Sequence, residues 1–120
     1  MEDNTLKNLL ELDGERFVVD EDLGYWVKFE VKRIVASSER PHGIKYSLTL
    51  HNRHSERIMG FDNAHAIEYG KKSNVAPKRI HDHVHQDKSD KVKPYHYSIA
   101  AKLLEDFWKE VDKKLLEAKK

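Results

Sequence analysis

From Tyr25 to Lys32 the chain alternates: Tyr25, Val27, Phe29 and Val31 fall on one face, Lys28, Glu30 and Lys32 on the other. A period of two belongs to a strand with one dry and one wet face, and a helix would scatter those residues around its axis. GIKYSLTLH repeats the pattern, setting Ile44, Tyr46, Leu48 and Leu50 against Lys45, Ser47 and Thr49. GERFVVDED, with Phe17 and Val19 on one face, and RIMGFD read as shorter strands. Ser37 to Gly43 is a turn-rich connector and HNRHSE a hairpin loop. AIEYGKKSNVAPKR, with Gly70, Ser73, Asn74 and Pro77, is expected to be a long loop, and such loops often carry function.

Strands with one apolar face need a cover, and the C-terminal segment supplies it. Leu103, Phe107, Val111 and Leu115 recur every four residues, and Leu104, Trp108 and Leu116 widen the stripe. Lys102, Glu105, Lys109, Asp112 and Lys113 face outward, and Ser98 stands where an N-cap is expected. A shorter helix is expected through Leu6, Leu9, Leu10 and Leu12, capped by Asn4 or Thr5 and ending near Gly14. The expected fold is therefore α+β: a small antiparallel β-sheet with a short N-terminal helix and a long amphipathic C-terminal helix. A chain of 120 residues suits a single domain over 1–120.

Composition removes several classes of chemistry. With no cysteine there are no disulfides, no thiolate nucleophile and no cysteine-ligated zinc. No apolar run approaches the roughly 18 residues of a membrane span. The acidic start MEDNTLKNLLELDGE does not resemble a secretory signal, so a cytoplasmic location is expected. Net charge is +1 but uneven: Met1 to Val31 carries three basic and nine acidic residues, and Lys71 to Lys93 seven basic and three acidic. That asymmetry fits a basic working surface.

The chemistry-bearing residues gather between Arg57 and Tyr95. In RIHDHVHQD, from Arg79 to Asp87, three histidines alternate, so an extended backbone sets His81, His83 and His85 on one side. Three alternate residues span about 13 Å, too far for one ion with metal–nitrogen bonds of about 2 Å. A metal would need His83 and His85 plus one of His65, Asp62 or His81; no cofactor is expected, and a divalent metal is the alternative. The other chemistry is proton transfer on RNA, which needs a base, an acid and cations for the phosphate. Histidine suits both transfers, because its unperturbed pKa of about 6.5 lies near neutrality. On that reading His83 and His85 exchange protons, Asp82 or Asp62 orients one of them, and His65 is a further catalytic candidate. Lys78, Arg79 and Arg57 would hold RNA phosphate and Tyr95 a base. Tyr25 and Trp26 read as core or sheet-surface residues rather than a base-stacking platform, and His42 as part of a turn.

The order GFDNAH, DHVH, KPYHYS and LLEDFWKEV resembles the TumE-like toxins of prokaryotic type II toxin–antitoxin systems. Members show a (Y/F)DN(A)H element, an HxH element, an aromatic pair and a closing helix. Here these fall at Phe61, Asp62, Asn63 and His65; at Asp82, His83 and His85; at Tyr95 and Tyr97; and at Leu104, Asp106, Phe107 and Val111. GYWVKFEVKRI and PHGIKYSLTLH extend the resemblance over most of the chain. The chain departs from the pattern in its long linker before DHVH and in Val84, where a basic residue is common. The resemblance implies a toxin neutralised by a helix-turn-helix antitoxin. It also implies, by analogy with RelE-like messenger-RNA endonucleases, a RelE-like fold and action on RNA. The alternatives are a metal-dependent nuclease or hydrolase and a non-enzymatic module that binds nucleic acid or protein.

Overall fold

A computed structural model describes residues 4–38, 40–63, 67–69, 78–80, 82–87 and 92–120, with backbone alone for 67–69 and 78–80. In chain order the elements are α1 (Leu6–Glu11), β1 (Arg16–Asp20), β2 (Tyr25–Arg33), β3 (Ile44–His51), β4 (Arg57–Asp62), β5 (Ile67–Tyr69), β6 (Lys78–Ile80), β7 (His83–His85), β8 (Lys93–Pro94) and α2 (Ala100–Ala118). Six strands form one antiparallel sheet in the order β1-β2-β3-β4-β7-β8, and β5 pairs with β6 in a separate ribbon. The architecture is α+β, as the patterning predicts. Among the described residues no helix is long and apolar enough to cross a membrane.

Register follows the alternation. Val27, Phe29 and Val31 of β2 lie opposite Leu50, Leu48 and Tyr46 of β3, and all six are buried. Leu48 and Leu50 in turn face Phe61 and Met59 of β4, and Phe61 faces Val84 of β7. Leu9 of α1 and Ala100, Leu103, Phe107 and Val111 of α2 close over this dry face. Phe107 meets both Phe29 and Phe61 edge-on, with ring centroids 5.6 and 6.1 Å apart. The opposite face of the sheet carries Lys28, Glu30, Lys32, Lys45, Ser47 and Thr49 and stays partly or fully exposed.

The β3–β4 hairpin is organised by Asn52, whose Oδ1 accepts the backbone N–H of His54 and Glu56. Just beyond it the pairing slips: Leu50 faces Met59, yet the next residue, His51, faces Arg57. Ile58 is thus the extra residue of a β-bulge. It joins Met59 in the core, and Arg57 emerges on the open face, where simple alternation from Met59 would have sent it inward.

Three expectations need correction. The stretch expected to be a loop between Ala66 and Arg79 contains strands at both ends, with Ile67, Glu68 and Tyr69 paired to Ile80, Arg79 and Lys78. Three-residue strands are too short for periodicity to register. Ser98 does not cap α2: the N-cap is Ile99, and the hydroxyl of Thr5 accepts the N–H of Ala101 at 2.9 Å. That cap arrives from 96 residues away, out of reach of any local rule. Leu116 does not widen the buried stripe and is exposed. It lies about two and a half helical turns beyond Phe107, which sets it across the helix axis from the core.

Candidate functional site

GFDNAH begins as the last strand residues of β4. Phe61 points into the core and Asp62 therefore points out, opposite His83 of β7. His85, two residues further along β7, shares that side and lies opposite Gly60, which has no side chain to fill the space. Val84 between them packs inward on Phe61, which explains an apolar residue at that position.

Asp62 bridges the two histidines. Its Oδ1 lies 3.0 Å from Nε2 of His83 and its Oδ2 3.1 Å from Nε2 of His85. The rings stand edge to face, 5.0 Å between centroids. His83 is 3% exposed and sealed beneath the carboxylate, whereas His85 and Asp62 keep an opening to solvent. On the far side of His85, Nη2 of Arg57 approaches Nδ1 at 3.4 Å. A guanidinium only donates, so Nδ1 of neutral His85 offers its lone pair and Nε2–H is given to Asp62. Burial pushes the pKa of His85 below the usual histidine value, and the charge of Arg57 pushes the same way against the opposing pull of Asp62. His85 is thus held neutral, in one tautomer, with its basic nitrogen on the side of a cation.

The supporting residues come from the same motif. Asn63 is buried, accepts the N–H of Tyr46 and donates to the carbonyl of Ile44, locking the end of β4 to β3. Nε of Arg40 donates to the carbonyl of Asn63 at 2.9 Å. Gly60 is packed tightly: a Cβ there would sit 3.0 Å from Cγ2 of Thr49 and 3.3 Å from the carbonyl oxygen of Leu48.

The structure brings together Asp62, His83, His85 and Arg57 and separates others. Asp82 turns to the covered side, where the hydroxyl of Tyr46 donates to it at 3.1 Å. Burial and the charge of Asp82 hold the Tyr46 phenol protonated, far above its ordinary range. Tyr95 also lies on the covered side, its ring edge-on to Phe61 at 5.0 Å and its hydroxyl donated to Asp106 at 2.6 Å. Burial and Asp106 raise its pKa. His65 and His81 lie outside the described residues, as do the side chains of Lys78 and Arg79. Sequence reasoning missed Gly60 as a support, because the close approach comes from Thr49 and Leu48 on the neighbouring strand; for Asn63 a structural role is the expected one, from the turn and capping preference of asparagine.

The carboxylate oxygens of Asp62 and the imidazole nitrogens of His83 and His85 converge within 4.8 Å, so the set also has the composition of a two-histidine, one-carboxylate metal centre. A strand-borne acid–histidine cluster on the open face of a helix-backed antiparallel sheet defines a small α+β protein whose described residues gather one polar site. The Toxin TumE family model matches residues 8–115, and the chain belongs to that family. It is a toxin of a toxin–antitoxin system, with an antitoxin as partner. No curated protein and no solved structure matches the chain.

Proposed function

We propose that this TumE-family toxin is a metal-independent endoribonuclease of the cytoplasm, held in check by a helix-turn-helix antitoxin. The observation that carries this reading is the relay Arg57–His85–Asp62–His83 on the open face of the sheet. Neutral His85 is the general base. When RNA phosphate draws Arg57 to itself, Nδ1 is released to take the proton of the 2′-hydroxyl. The oxygen then bonds to phosphorus, the bond to the 5′-oxygen breaks, and that oxygen is protonated by solvent. Asp62 stabilises the imidazolium as it forms. His83, expected from sequence to share proton transfer, is in this scheme a positioning residue that fixes Asp62 from below. Arg57 holds the phosphate, and the sequence adds Lys78 and Arg79 as further cations. Asp82 and Tyr95 serve the covered side of the sheet and take no part.

Products would carry a 2′,3′-cyclic phosphate and a 5′-hydroxyl, and DNA, lacking the 2′-hydroxyl, would survive. Cleavage of a mixed-sequence RNA is expected to persist in excess chelator. Cleavage abolished by chelator and restored by one divalent ion selects the second reading, a metal centre on Asp62, His83 and His85, which the convergence of their ligand atoms favours. RNA left intact under both conditions refutes the nuclease.

A further inference from the structure

The open face holds a second feature in line with the site. Trp26 of β2 lies opposite His51 of β3, and the two rings stack 4.1 Å apart at 12°. The guanidinium of Arg16, from edge strand β1, sits 5.5 Å from the centre of the indole. His51 is in turn opposite Arg57, the residue that reaches His85. A stepped row therefore crosses the sheet: Trp26, His51 and Arg57 share one register line, Arg16 and His85 lie on the next, and Asp62 on the one after. It steps over β1, β2, β3, β4 and β7, a span of roughly 19 Å at about 4.8 Å per strand.

Beside the row runs a trough of about 480 Å³ walled by Arg16, Lys28, Lys32 and Lys45, with Asp13 and Glu30 as its two acids. Lys28 pairs with Glu30 and Lys32 with Asp13, so the trough carries a net charge of +2, which suits a polyanion. His51 donates to or accepts from the hydroxyl of Thr49 at 2.8 Å, which fixes its ring plane parallel to the indole. Desolvation lowers its pKa, which favours the neutral ring.

We infer that this row is the binding platform for single-stranded RNA, with a base stacked at Trp26 and His51 and the backbone led along the trough to Arg57 and His85. The inference rests on the ribonuclease reading and gives it a substrate form. A base-paired strand keeps its bases inside and has none to offer a flat aromatic face, whereas a single strand stacks and pairs with cations at once. Arg16 lies over the indole from an edge strand. A base arriving there displaces the guanidinium toward the phosphate.

The test uses the full chain carrying Trp108→Phe, so that Trp26 is the sole fluorophore of its kind, and a single-stranded RNA of mixed sequence with 2′-O-methyl riboses, which binds without being cut. Saturable quenching of Trp26 is expected. Trp26→Ala should weaken binding, followed with an end-labelled RNA, by between about fivefold and a hundredfold, and Trp26→Phe should restore most of it. Arg16→Ala, a change at the sheet edge, should lower the slope of log affinity against log salt by about one. With cleavable RNA, Trp26→Ala should raise KM and leave kcat near the parent value.

Equal affinity in Trp26→Ala and its parent, together with an unchanged salt slope in Arg16→Ala, overturns the platform. If such proteins still cleave RNA, the nuclease reading survives alone. If they neither bind nor cleave, both fall. Tighter binding of duplex RNA than of single strands also overturns it.

Discussion

Replacing Asp62 with asparagine exchanges one carboxylate oxygen for an NH₂ group and leaves the shape nearly unchanged, yet two ring N–H groups depend on that carboxylate. Nε2 of His83 and of His85 lie 3.0 and 3.1 Å from its separate oxygens. The asparagine side chain would have one carbonyl to offer. His83 is sealed from water, so the carbonyl turns to it and the amide meets His85, donor against donor. His85 escapes only by moving its proton to Nδ1, which faces the Arg57 guanidinium at 3.4 Å. Either way one hydrogen bond to a charged group is lost, worth about 1.5–3 kcal/mol. With a urea slope of roughly 1–3 kcal/mol per molar, the unfolding midpoint should fall by about 1 M. Asp62→Ala, which loses both bonds and strands a buried donor, should fall further. RNA cleavage by Asp62→Asn should drop by about 10²–10⁴-fold, the usual weight of acid–base catalysis. Urea unfolding, ¹⁵N spectra of the imidazoles and cleavage at saturating RNA read the three effects. A midpoint matching the parent, with His85 still carrying its proton on Nε2, would refute the bridge.

The pH dependence follows from the depressed pKa of His85. A base must be neutral, so the acid limb of kcat/KM, which reports the RNA-free enzyme, should lie below the pH of about 6.5 expected of an unperturbed histidine. Because Arg57 lowers that pKa, Arg57→Ala should move the limb to higher pH; a shift downward would contradict the assignment. The same depression means the unfolded chain takes up the proton first. The stability His85 contributes is thus full above about pH 6.5 and is lost as pH falls through its folded pKa, and His85→Gln should flatten that part of a stability–pH curve. At the other end of the molecule, Thr5→Ala should cost about 1 kcal/mol by uncapping α2, whereas Ser98→Ala should change stability by much less; equal effects in thermal unfolding would contradict the long-range cap.

The sheet and its closing helix were legible because their patterns are long. Nine residues of β2 and eight of β3 alternate almost without exception, and α2 repeats its apolar stripe over 19 residues. Short elements were not: β5 and β6 have three residues each, fewer than a period of two needs to stand out, and β7, equally short, was marked only by its alternating histidines. In the candidate site, His83, His85 and Asp62 were readable from residue type and spacing. The placement of Asp82 and Tyr95 was not, since which face of a strand a side chain takes depends on register. Both turn to the covered side, where they bond to Tyr46 and Asp106. Trp26 is a sheet-surface residue, as expected, but the reading against base stacking gives way to the platform inferred above: its partner His51 comes from the neighbouring strand, and a cross-strand stack is invisible to a scan along the chain.

The bulge at Ile58 makes the placement of a cation a matter of counting. Arg57 and Asp62 stand an odd number of residues apart, which in a plain strand would put them on opposite faces. By taking two successive residues inward, the strand turns an odd spacing into a shared face, so the carboxylate and the guanidinium can both reach His85. A chain lacking Ile58 would reach the same arrangement by plain alternation, with an even spacing and no bulge. Two motifs of different length therefore encode one corner, and a pattern search that insists on a fixed arginine-to-aspartate interval would miss the chains that use the other.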